Sequence, residues 1–120
     1  MAYASSVGVE VVTEQRDGGL MVALSGDLDV ASAPSVEERL GELELPESPA
    51  VLVLDLRGLS FIDSTGLSLL INTDSRARKA GRHVTIVSGR GAPRRLLETT
   101  GLNRRLDVVE EWERGCVQPT

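Results

Sequence analysis

Apolar residues in this chain recur in two rhythms, and the places where the rhythm changes divide it into elements. Val9 to Thr13 and Leu20 to Leu24 are short β-branched and apolar runs separated by Arg16-Asp17-Gly18-Gly19, a turn-forming sequence, so they predict a hairpin. Gly26-Asp27-Leu28-Asp29 reads as a loop. From there Val30, Ala33, Val36, Leu40 and Leu43 recur at spacings of three and four, an amphipathic helix with Asp29 or Ser32 available to cap its start. The two prolines of Leu45 to Pro49 break it. Val51 to Leu56 is nearly all apolar, the pattern of a strand buried on both faces. Leu67, Leu70, Ile71, Ala77 and Ala80 return to helical spacing, and Gly81 closes that helix. His83 to Ser88 predicts a strand, Pro93 to Thr99 a helix entered through proline and ended by Gly101, and Leu106 to Val109 a last short strand.

The resulting order, β-β-α-β-α-β-α-β, predicts a single α/β domain over residues 1–120, with a core over about 8–110 and a tail from 111 to 120. A hairpin followed by βαβ units gives a mixed, mostly parallel sheet packed with helices through right-handed crossovers. Sites on such sheets lie at the carboxyl ends of the strands. Two polar stretches fall there: Gly26 to Asp29, and Phe61-Ile62-Asp63-Ser64-Thr65-Gly66-Leu67.

The second stretch brings a serine to a helix start. Asp63 or Ser64 can cap the helix, and that alone would account for both residue types. A phosphate on Ser64 would meet the positive end of the helix dipole, and the sequence predicts that the amides of Thr65, Gly66 and Leu67 are open to its oxygens. Asp63 opposes that gain by its charge. The expected consequence of modification is a changed surface more than a changed fold.

Composition narrows the field. Hydrophobic residues are 41% and charged residues 26% of the chain, which fits a globular domain. No apolar run reaches the ~18–20 residues that span a bilayer, and Met1 to Glu10 lacks the signature of a signal peptide. One cysteine, Cys116, cannot form an internal disulfide, so a reducing cytoplasm is the expected location. One Phe, one Tyr and one Trp cannot line an aromatic small-molecule pocket. The net charge of −5 hides a division: residues 1–75 hold 13 acids and 3 bases, and residues 76–105 hold 9 bases and 1 acid. That basic stretch has no aromatic residue on which bases could stack, so it reads as a solvated face rather than a nucleic-acid surface.

Catalytic readings find little support. The only histidine, His83, lies at the start of a strand, away from Ser64, and no G-x-S-x-G elbow is present. One His and one Cys do not make a zinc site of the usual kind, and no cofactor is expected. A phosphoacceptor receiver domain would use Asp55 with Asp27 and Asp29 around magnesium, but the only lysine, Lys79, is late in a helix. Asp55 then reads as a strand-end residue bonding a nearby loop amide. Gly89 to Arg95 lacks the spacing and lysine of a phosphate-binding loop. Trp112 reads as a packing residue.

The segment LRGLSFIDSTGL, with the Gly-Asp-Leu-Asp loop and HVTIVSGRGAPRRLLETTGLNRRLDV, resembles the STAS domain family over residues 8–110, and within it the bacterial anti-sigma factor antagonists. The resemblance implies a non-enzymatic regulator that works by partner switching. The serine after the aspartate, here Ser64, would be phosphorylated by an anti-sigma factor serine kinase and restored by a serine phosphatase. The unphosphorylated form would bind the anti-sigma factor and release a sigma factor. The family's loop aspartate matches Asp29, and the partner surface would include Asp29, Asp63, Ser64, Thr65 and Gly66, with Thr65 a lesser phosphoacceptor. Relatives with neither phosphorylation nor a kinase partner serve as scaffold or transport-complex subunits, which is the alternative. The chain departs from the pattern in its tail, Glu110 to Thr120, which lacks a helical period, and in Asp27, where Glu is common.

Overall fold

A computed structural model describes residues 2–6, 8–16, 19–43 and 50–112. Leu45 to Pro49, the hairpin residues Asp17 and Gly18, and the tail beyond Trp112 with Cys116 lie outside the described residues.

Six strands form one sheet in simple sequence order: β1 (Ala2–Ser6), β2 (Val9–Arg16), β3 (Gly19–Leu28), β4 (Val51–Ile62), β5 (His83–Val87) and β6 (Asp107–Val109). β1, β2 and β3 pair antiparallel, and β3 through β6 pair parallel. The helices are α1 (Ala33–Leu43), α2 (Ser64–Lys79) and α3 (Ala92–Thr100), followed by a 3₁₀ turn, Leu102–Arg104. No described helix is long and apolar enough to cross a membrane. The hairpin closes as expected, with Arg16 opposite Gly19. The sequence pattern missed β1, which adds an antiparallel strand outside β2.

Each parallel strand is added on the same side of its predecessor. Right-handed crossovers then put every connecting helix on one face of the sheet. The core bears this out. Leu20, Val22 and Leu24 of β3, Leu52, Leu54 and Leu56 of β4, and Val84 and Ile86 of β5 share one cluster with Val36 and Leu40 of α1, Leu69 and Leu70 of α2, and Leu97 of α3. The other face carries a smaller cluster: Val51, Val53 and Val87, joined by Met21, Val109 and Trp112. Trp112 packs there, as expected. Thus β4 is buried on both faces over Val51 to Leu56.

The strand does not stop at Leu56, however. Its core-facing residues beyond that point are Leu59 and Ile62, spaced by three rather than two. Two register shifts explain this. Ala23 pairs with Asp55 and Ser25 with Gly58; Gly26 pairs with Leu59 and Asp27 with Phe61. Each shift adds one residue to β4, as a bulge does, and breaks the alternation that marks a strand in sequence. Gly26 to Leu28 likewise belong to β3, so the predicted Gly-Asp-Leu-Asp loop shrinks to Asp29 and the turn after it. Gly26 has φ +100°, and a Cβ there would strike the Gly8 carbonyl; Asp27 N–H donates to that same carbonyl at 2.6 Å.

Asp55 is consequently a mid-strand residue and not a strand end. Its carboxylate accepts from the Arg57 amide at 3.0 Å and from Arg57 Nε and Nη2 at 2.9 and 2.8 Å. Hydrogen bonding to Asp55 holds the Arg57 guanidinium above its ordinary range, against the opposing pull of burial. On the sheet edge, Asp107 joins β6 to β5 by contacts with His83 Nε2 at 2.6 Å and Thr85 Oγ1 at 2.8 Å.

Candidate functional site

The ends of β3 and β4 meet at the pair Leu28 and Ile62. Asp63 carries the contact one residue further, its N–H donating to the Leu28 carbonyl at 3.2 Å. The chain then turns directly into α2, with Asp63 extended at φ −112° and ψ −172° as the N-cap. The turn is tight because Gly66 has no side chain. A Cβ at that position would lie 2.7 Å from Ile62 Cγ1 and 2.9 Å from the Leu28 carbonyl oxygen. Leu67 is buried in the core beneath the helix.

Asp63, and not Ser64, caps the helix. Its Oδ1 accepts the Thr65 amide at 2.9 Å and the Gly66 amide at 3.1 Å. Its main-chain carbonyl accepts the Leu67 amide at 3.0 Å. The three amides that the sequence offered to a phosphate are therefore already occupied. This corrects the expectation of an open anion cradle: an N-cap carboxylate at this spacing claims those donors first.

Ser64 is the first residue of α2 and is exposed. Its carbonyl accepts from Ser68 Oγ at 3.0 Å, and among the described residues no hydrogen bond engages its own hydroxyl. The cap thus ties down the residues on either side of Ser64 and leaves its oxygen in solvent. Thr65 and Asp63 are half-buried, and Gly66 is buried.

The neighbouring turn, at the end of β3, is organised by Asp29 and Ser32. Asp29 Oδ1 accepts the amides of Ala31 at 3.0 Å and Ser32 at 3.1 Å. Ser32 Oγ donates to the Asp27 carbonyl at 2.7 Å and accepts the Asp29 amide at 3.0 Å. This knot delays α1 until Ala33 and turns Val30 outward, so Val30 is not the first apolar position of the helix. Asp29 is half-buried and occupied with its own turn; Asp27, one pair from the strand end, is the exposed carboxylate. Among the described residues, no group of three or more His, Cys, Asp or Glu converges to hold a metal ion.

Fold and edge together define a small α/β domain that presents a hydroxyl and carboxylates at the ends of two adjacent parallel strands. Residues 10–113 match the family model described as STAS domain. The anti-sigma-B factor antagonist of Bacillus subtilis (strain 168) is 30% identical over 109 residues, covering 91% of this chain and 98% of its own. Anti-sigma-F factor antagonist RsfB of Mycobacterium tuberculosis (strain ATCC 25618 / H37Rv) is 26% identical over 96 residues, covering 80% and 77%. The crystal structure of an anti-sigma factor antagonist from Mycobacterium paratuberculosis superposes with a TM-score of 0.79 at 29% identity, covering 90% of this chain and 91% of that one. The chain belongs to the STAS domain family.

Proposed function

We propose that this protein is an anti-sigma factor antagonist switched by phosphorylation of Ser64. Unphosphorylated, it binds an anti-sigma factor that is itself a serine kinase, and a sigma factor is released. The kinase joins Ser64 Oγ to the γ-phosphorus of ATP; the bond to ADP breaks and the hydroxyl proton passes to a base of the kinase. A serine phosphatase returns the hydroxyl. The protein itself performs no catalysis.

The observation that carries this reading is the exposed Ser64 hydroxyl beside a saturated cap. A phosphate adds about −1.5 to −2 charges. With the Thr65 and Gly66 amides held by the Asp63 carboxylate and the Leu67 amide by its carbonyl, these three donors are not free to compensate the dianion, which keeps its water. Docking would have to strip that water, and burial of an uncompensated charge is strongly unfavourable. A loss of about 4 kcal/mol takes a nanomolar complex to micromolar. Asp63, Thr65 and Gly66 shape the surface around the hydroxyl, and Asp29 holds the adjacent turn.

Incubation with candidate kinases and labelled ATP, followed by mass spectrometry, tests the assignment. Label is expected on the peptide holding Ser64 and absent from Ser64→Ala. Equal labelling of Ser64→Ala would remove Ser64 as the acceptor.

A further inference from the structure

On the sheet face opposite the helices, Val51, Val53 and Val87 are buried, at 2%, 1% and 0% exposure. No residue of α1, α2 or α3 belongs to their cluster. Met21 and Val109, which pack against them, come from the sheet itself, as register partners of Val53 and Val87. Among the described residues, Trp112 is the one member of the cluster that lies outside a strand. It also lies past residue 110, in what reads in sequence as the tail.

The segment that carries the indole from the end of β6 has no regular structure and is held by little. The Gly89 N–H donates to the Glu110 carbonyl at 3.0 Å. Arg90 Nε stands 3.7 Å from Glu110 Oε1, with both side chains in solvent. Glu111 is exposed, and its charge adds to the stronger hydrogen bond from Asp55 in holding the Arg57 guanidinium above its ordinary range. The attachments are thus a half-buried indole, a main-chain hydrogen bond and attraction between two glutamates and two arginines. Segments with few buried contacts open locally, well before a fold is lost. Attraction between exposed charges is weak and is screened by salt.

We propose that Glu110, Glu111 and Trp112 form a salt-sensitive strap: closed, its indole covers Val51, Val53 and Val87, and screening of its glutamates loosens it and bares that face. Both strap charges are acidic and both of their partners are arginines, so salt acts on the two attractions in the same direction. The indole, by contrast, is held by apolar burial, which sodium chloride does not weaken. Opening therefore begins at the glutamates, and Trp112 follows. The strap lies across the sheet from α2, so it works apart from the Ser64 corner and does not depend on the antagonist reading.

The test uses the full chain and reads two positions. Trp112 is its only tryptophan, so fluorescence reports the strap directly. Hydrogen exchange at the Gly89 amide, whose acceptor is Glu110, reads opening, and exchange at Ile86, buried in β5, is the reference. Raising sodium chloride from about 20 to about 500 mM is expected to speed Gly89 exchange about 2–5-fold relative to Ile86, with stronger acrylamide quenching of Trp112. The double variant Glu110→Gln, Glu111→Gln keeps the indole and is expected to exchange fast at low salt, with little further response. Trp112→Ser is expected to bind the apolar dye ANS at low salt, where wild type does not. Gly89 exchange that tracks Ile86 at both salt concentrations overturns the strap. So does an equal salt response in wild type and the double variant, a result that stands even where Trp112→Ser fails to fold.

Discussion

One carboxylate oxygen of Asp63 holds the amide of Thr65 at 2.9 Å and shares itself with the amide of Gly66. The cap is therefore complete before any modification. Asp63→Ala is expected to destabilise the protein by about 1 kcal/mol, within the 0.5–2 kcal/mol range for lost N-caps. Urea unfolding reads the loss, and hydrogen exchange should quicken at the Thr65 and Gly66 amides. Unchanged stability and exchange would show that the cap contributes nothing.

Gly66 and Gly41 make opposite predictions from the same substitution. Gly66→Ala forces a Cβ against Ile62 and the Leu28 carbonyl, and is expected to cost about 1–3 kcal/mol. Gly41 lies within α1 with nothing within 4 Å of an added Cβ. Gly41→Ala should stabilise by about 0.5–1 kcal/mol through helix propensity. Thermal melts of the two variants must shift in opposite directions.

Ser64→Ala is expected to leave stability within about 0.5 kcal/mol of wild type, because the side chain is exposed and uncapping. Ser64→Glu should fold equally well yet bind the kinase partner more weakly. Circular dichroism melts separate this from a folding defect. A large drop in melting temperature for Ser64→Ala would mean that the hydroxyl has a structural task.

Much of the architecture was legible because its elements keep clean periods. The helix Pro93 to Thr99 matches α3 within one residue at each end, since Pro93 and the left-handed Gly101 mark both of its boundaries. The position of the polar stretches at adjacent strand ends followed from the alternation of strands and helices alone. What escaped was wherever the backbone departs from a regular repeat. Leu56, Leu59 and Ile62 face the core at intervals of three, so β4 looked six residues long when it has 12. Val30 fitted a helical spacing, but the Asp29 carboxylate bends the chain before the helix begins. The Thr65 and Gly66 amides looked open because a capping contact depends on a side-chain rotamer that spacing does not reveal.

The Asp55–Arg57 pair offers a test away from the site. Arg57→Ala leaves the largely buried Asp55 carboxylate without its two guanidinium bonds and should cost about 1–3 kcal/mol. Arg57→Lys should recover only part of this, since an ammonium cannot reproduce the two-pronged geometry. Equal stability of all three proteins in guanidinium-free urea titrations would contradict the pairing.

Sheet order identical to chain order has a consequence for how the molecule comes into being. Every strand finds its partner in the strand synthesised just before it, so no early segment must wait for a distant one. Each parallel pairing closes across one strand–helix crossover, as from Gly19 to Val51 or from Val51 to His83, and none spans two crossovers, so the entropy of closing any one loop is limited. A chain leaving the ribosome can extend its sheet one strand at a time, with the Ser64 corner assembled once α2 has emerged and before the last two strands exist.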